Sequence, residues 1–124
     1  MTEGRASLPA PGARLECATP GCNAYTIPTA STEARLGLQT MGTFAVFDPD
    51  AGDARPGDIV AIWWKPPVAR LVAQPTIVRV YSPKPGWTPP WRKPSILYES
   101  HDGRMRAMFL FRIERVDRLV AVRP

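Results

Sequence analysis

Residues 56–64, PGDIVAIWW, constrain the fold more than any other stretch of this 124-residue sequence. Pro56 pre-sets the backbone angle for the second position of a turn, Gly57 follows where a positive φ is often required, and Asp58 can bond back to nearby amides. The chain reverses there. Ile59, Val60, Ala61, Ile62, Trp63 and Trp64 then run without a polar break. The run is too short for a helix and is rich in β-branched and aromatic residues, so it suits a strand covered on both faces. Trp63 and Trp64, adjacent on that strand, must face opposite ways.

Fifteen prolines argue against long helices and for short strands with many connections. Residues 1–14 have no periodicity and read as a tail. Cys17 and Cys22 flank a turn of Thr19, Pro20 and Gly21, and residues 25–27 begin a short strand. In residues 29–39 an N-cap at Ser31 or Thr32 predicts a turn or two of helix, with Gly37 as its stop. A strand over 43–47 leads into a polar loop containing Asp48, Asp50 and Asp53. Lys65, Pro66 and Pro67 end the central strand. Residues 68–72 are a further strand or an irregular link, and 76–81, TIVRVY, alternate as a strand. The five prolines of residues 82–94 predict an extended, partly polyproline-like loop. Strands over 95–99, 105–112 and 114–122 close the chain, with His101, Asp102 and Gly103 as a hairpin turn. The expectation is an all-β (mostly β) domain of about seven short strands with at most one short helix. It would span residues 29–124 after an N-terminal arm, residues 1–28.

Apolar residues make up 44% and charged residues 22%, a balance that can support a core and excludes wholesale disorder. No apolar run approaches the ~20 residues of a membrane span, and no signal pattern opens the sequence, so a soluble, cytoplasmic protein with no membrane partner is expected. The net charge of +5 is unevenly spread: from Arg79 onward ten basic residues face only Glu99, Asp102, Glu114 and Asp117. A field of this sign suits nucleic acid or an acidic protein partner, and equally a solvated basic face.

Three elements in order carry a resemblance: a strand and polar loop leading to Pro56-Gly57-Asp58 and its apolar strand, then TIVRVYS (residues 76–82), then FRIERVDRLVAV (residues 111–122). Over residues 29–122 the chain resembles the C-terminal domain of LexA/UmuD-type regulators, the Ser-Lys self-cleaving peptidase family that includes many phage repressors. The resemblance implies a LexA/signal-peptidase-like β domain. It carries the nucleophile position to Ser31, or to its neighbour Thr32, and the lysine position to Arg79. A desolvated lysine can lose its proton and activate a serine, whereas arginine stays charged. The Ser-Met pair usual at the nucleophile is also absent, since Thr32 follows Ser31. A degenerate, stand-alone pseudo-peptidase is therefore expected, because the Pro- and Gly-rich first 30 residues leave no room for a helix-turn-helix. Its role would be that of a phage- or prophage-type regulatory protein that associates with another copy or with a related repressor domain. The alternatives are a small virion or decoration protein, a residual Ser31-dependent self-cleaving peptidase, and a basic nucleic-acid-binding module.

Trp87, Trp91, Arg92 and Lys93 combine rings and cations in one loop. They suit packing of the loop on its own domain, a protein partner, or a single-stranded nucleic acid, whose bases stack on rings while cations follow phosphates. Cys17 and Cys22 with His101 are candidate zinc ligands, but a closed site needs four donors. Free thiols are the default, a disulfide between them is the other alternative, and no cofactor is expected. The aspartates around the Pro56 turn read as turn residues rather than a calcium loop, which would want a closing glutamate.

Overall fold

The computed structural model describes residues 23–66 and 74–124. Seven strands account for the regular structure: β1 (Tyr25–Pro28), β2 (Phe44–Asp48), β3 (Ile59–Trp64), β4 (Thr76–Arg79), β5 (Ser95–Glu99), β6 (Met105–Phe109) and β7 (Ile113–Arg123). They form an antiparallel five-stranded sheet, order β1-β2-β7-β3-β4, and a β5-β6 hairpin. Val80 bridges to Tyr98, and the Tyr81 amide donates to the Leu97 carbonyl at 2.9 Å, so the hairpin continues from the β4 side of the sheet. The expected mostly β class is thus what forms. The Cys17 and Cys22 turn, the N-terminal tail and the expected strand or link over 68–72 lie outside the described residues.

The turn before β3 forms as its chemistry dictates. Gly57 takes a φ of 91°, the Asp58 amide donates to the Arg55 carbonyl at 3.0 Å, and the Asp58 carboxylate accepts from the Arg55 amide at 2.8 Å. β3 is covered on both faces. Ile59, Ala61 and Trp63 join a core with Tyr25, Ile27, Leu36, Leu38, Ala45 and Phe47, whereas Val60, Ile62 and Trp64 join a second core with Val78, Val80, Met108 and Ile113. The segment from residue 29 to 40 supplies Leu36 and Leu38 over the first face; the hairpin covers the second with Ile96, Tyr98 and Met108. Each large side chain so buried stabilises the fold by about 1.5–3 kcal/mol.

Three departures have local causes. The expected helix near Ser31 is instead a chain of separate 3-10 turns, Thr29–Ser31, Ala34–Leu36 and Leu38–Thr40. The Ser31 and Thr32 hydroxyls donate back to the Pro28 and Thr29 carbonyls, at 2.7 and 2.6 Å, rather than accepting from amides ahead as N-caps. Thr32 and Glu33 are extended, and Gly37 stops the second turn at φ 75°. The expected strand over 105–112 ends at Phe109, where a 3-10 turn (Leu110–Arg112) redirects the chain into β7; the Leu110 amide is taken by the Pro94 carbonyl at 3.0 Å. TIVRVY ends its strand pairing with β3 at Arg79: Val80 donates its amide to the Asp58 carbonyl at 2.8 Å and accepts the Gly57 amide at 2.9 Å, in the turn before β3, and the Tyr81 amide then turns to the hairpin.

β7 is the spine, with register shifts against both neighbours: Glu114 and Val120 are extra residues opposite Trp63/Trp64 and Val46/Phe47. Such bulges bend a strand and raise its twist, and they leave Val120 exposed. Between them Asp117, fully buried, points into the first core opposite Ala61. Its carboxylate accepts from the Tyr25 hydroxyl, from Trp63 Nε1 at 2.9 Å and from Arg115 Nε at 3.1 Å. Arg115 also lies 4.9 Å from the centre of the Trp63 ring. Removing one partner of a buried charged pair leaves the others unsatisfied in low dielectric. Asp117→Ala is therefore expected to cost about 3–5 kcal/mol, read as a lower urea midpoint with the slope unchanged.

The Tyr25 phenol is held far above its usual pKa of 10.0, first by burial and then by the charge and hydrogen bond of Asp117. The folded state thus binds this proton more tightly than the unfolded chain. Its contribution is whole below pH 10 and is lost as pH rises beyond. Urea titrations in steps above pH 10 should show wild-type stability falling, with a shallower fall for Tyr25→Phe.

Candidate functional site

Ser31 and Arg79, the positions to which the resemblance carries the dyad, are each tied to backbone. Ser31 is exposed at the end of its 3-10 turn, with its hydroxyl given to Pro28. Arg79 closes β4 opposite Ile59, and its Nη2 reaches the Leu36 carbonyl at 3.5 Å. No hydrogen bond joins Ser31 to Arg79. His101 is exposed in the hairpin turn, and no group of three His, Cys, Asp or Glu side chains that could hold a metal occurs among the described residues. Asp102 in that turn accepts from Ser100 and from the Arg104 amide, and these bonds, the Ser100 bond first, hold its carboxyl below the usual range. The aspartates near Pro56 also have structural partners: Asp48 takes the Asp50 amide at 2.8 Å, and Asp58 pairs with Arg118 at 3.2 Å.

The surface that stands out is the side of the hairpin turned away from the core. Alternation along β5 and β6 sends Ile96, Tyr98 and Met108 inward, which places Leu97, Met105, Ala107 and Phe109 on the opposite face. Phe109 stacks on Phe111 with centroids 5.9 Å apart and the rings 14° from parallel. Trp91 meets Phe109 edge-on at 6.4 Å, and its Nε1 donates to Ser95 Oγ at 2.9 Å. Lys93 Nζ lies 5.2 Å and Arg112 Cζ 5.5 Å from the Phe111 ring centre, within cation–π range. Despite these contacts Phe111 is 54% exposed and Leu110 45%.

A cleft of about 570 Å³ opens at the other end of this face, lined by Tyr81, Pro83, Lys84, Pro85, Gly86, Trp87 and Met105. Its wall is a second Pro-Gly turn. Gly86 has a φ of 84°, and the Trp87 amide donates to the Lys84 carbonyl at 3.0 Å. Trp87 is left 39% exposed.

The structure therefore divides the loop residues singled out in the sequence. Trp91 and Lys93 belong to the aromatic ridge, Trp87 belongs to the cleft, and Arg92 is exposed. Sequence reasoning missed Phe109, Phe111, Met105 and Tyr81, which reach these sites only through long-range pairing. The Pro85-Gly86 pair was a local signal that could have located the cleft wall. Searches against family models, curated proteins and solved structures return no match to this chain.

Phe111 lies outside both cores. Phe111→Ser is accordingly expected to change stability by no more than about 0.5–1 kcal/mol, whereas Met108→Ala on the inner side of the hairpin costs about 2–4 kcal/mol. Paired urea titrations check the contrast.

Proposed function

We propose that this chain acts by association with another protein and not by catalysis, as a LexA-peptidase-like domain whose dyad positions hold no competent pair. The observation that carries the reading is the uncovered outer face of the β5-β6 hairpin. Beside it Phe111, in the turn after β6 and stacked on Phe109, and Trp87, in the loop that shares a cleft with Met105, stay exposed in company with basic side chains, while the inner face is packed. Exposed large apolar groups cost solvation unless a partner covers them, and aromatic residues beside arginine are common anchors at interfaces. Absence of catalysis is supported by the permanently charged Arg79 at the base position and by the Ser31 hydroxyl being given to a carbonyl. In the regulatory setting that the resemblance implies, the partner is a related repressor domain.

On the ridge of Trp91, Phe109 and Phe111 the arrangement of rings favours protein over single-stranded nucleic acid. Base stacking needs free ring faces. Phe109 and Phe111 cover one another, Lys93 and Arg112 lie over Phe111, and Trp91 is held by Phe109 and Ser95.

A photoreactive amino acid placed at Phe111 in the producing cell tests the reading, with the same group at the exposed Thr40, on the segment that covers the first core, as the control. A defined protein adduct at position 111 alone is the expected result. Adducts only to nucleic acid, or none above the control, would overturn it.

A further inference from the structure

The cleft beside Trp87 has a shape and a charge that specify more than a generic partner. We infer that it is an anchor site for a protein segment carrying one large apolar side chain flanked by acidic residues. The inference rests on the association reading and deepens it.

Shape comes first. Tyr81, Trp87 and Met105 supply apolar walls, and the volume of about 570 Å³ lies within the roughly 300–1,000 Å³ usual for sites that enclose an organic group. The wall is set in advance. Pro83 and Pro85 restrict the backbone, and the Pro85-Gly86 turn is closed by the Trp87 to Lys84 bond. A site already in its bound shape loses little entropy when it is filled.

Charge selects the flanks. Lys84 is the one ionic residue in the lining. Within residues 74–98 the charged side chains are Arg79, Lys84, Arg92 and Lys93, with no aspartate or glutamate, and of these Lys84 lines the cleft. The next acids along the chain are already engaged: Glu99 takes Arg35 at 3.3 Å, and Asp102 takes Ser100 and, at 3.8 Å, Arg104. A ligand with a carboxylate beside its apolar group therefore meets the Lys84 ammonium at the lining, which favours that flank over a basic one.

The same charge disfavours a second copy of this chain. A two-fold contact through this face sets like patches against each other, bringing a lysine-bearing rim onto itself. Nucleic acid would satisfy the charge, but the committed rings of the neighbouring ridge offer it few stacking surfaces.

Selection of a random heptapeptide phage library on the immobilised full chain tests the inference. The expected consensus is one large apolar residue with Asp or Glu beside it. Met105→Glu should weaken the selected peptide about tenfold or more, as loss of an apolar anchor does. Lys84→Glu should shift the selected flanks from acidic to basic. Both positions lie outside the two cores, and thermal melts of the variants verify folding. No consensus, a basic consensus, or a consensus indifferent to both substitutions would overturn the inference. Two other results would also overturn it: binding of an oligo-dT strand that falls steeply with salt, and dimerisation in light scattering that Met105→Glu abolishes. A protein adduct at position 111 with no acidic-apolar consensus would remove the cleft assignment and leave the association reading standing.

Discussion

The buried carboxylate of Asp117 is the constraint on which the rest of the structure depends. Taking an ion out of water costs several kcal/mol unless donors replace the lost solvent. Here the donors come from three strands: the Tyr25 hydroxyl on β1, the Trp63 indole on β3 and the Arg115 guanidinium on β7 itself. Trp63 Nε1 also lies 2.8 Å from the Tyr25 oxygen, so the group closes on itself. Because β7 stands between β2 and β3, one satisfied carboxylate fixes strands on both sides of it. A slip of β7 by one residue would send Asp117 to the other face, among Val60, Ile62 and Val78, where no such donors are assembled. The network thus selects register, while the apolar groups around it supply most of the favourable burial.

Small residues and close approaches make that arrangement fit. Ala61 lies opposite Asp117, and Ala45 lies opposite Val122, leaving room for Tyr25, Phe47 and Trp63 to pack in the same layer. At the far end of β7 a Cβ on Gly42 would stand 2.4 Å from the Arg123 carbonyl oxygen. That oxygen accepts the Thr43 amide at 2.8 Å. The glycine is required by proximity of backbone to backbone, which no side chain can relieve by moving.

What the sequence revealed was local. The Pro56-Gly57 turn, the doubly covered β3, the opposite facing of the two tryptophans and the limits of β5 all follow from neighbours within a few residues. The polar centre did not show, because in RVDRLV an acid between two arginines reads as solvent-facing. Its partners Tyr25 and Trp63 are 92 and 54 residues away. The aromatic ridge was half visible for the same reason. Trp91 and Lys93 drew notice beside each other, but their contacts to Phe109 and Phe111 exist only once the loop is laid along β6. The dyad positions Ser31 and Arg79 came from resemblance alone, and their hydrogen bonds are those of ordinary turn and strand-end residues.

How the strand edges are treated bears on the mode of the association proposed above. Among the described residues β1 and β4 are the outer strands of the five-stranded sheet, the hairpin meets the β4 side through the Val80–Tyr98 bridge, and β6 is the hairpin strand away from that bridge. β1 has four residues and ends in Pro28, which has no amide to offer a further strand. β6 has five, carries Arg106 and leads into a 3-10 turn that bends the chain away after Phe109. Short length, proline, charge and a terminal bend are the devices by which natural sheets discourage edge-to-edge pairing. The hairpin face has none of these defences. Its apolar groups are large, partly exposed and bordered by cations that keep the surface compatible with water. Recognition through side chains on a face, rather than through an added strand, is the mode that this distribution of protected and unprotected surface favours.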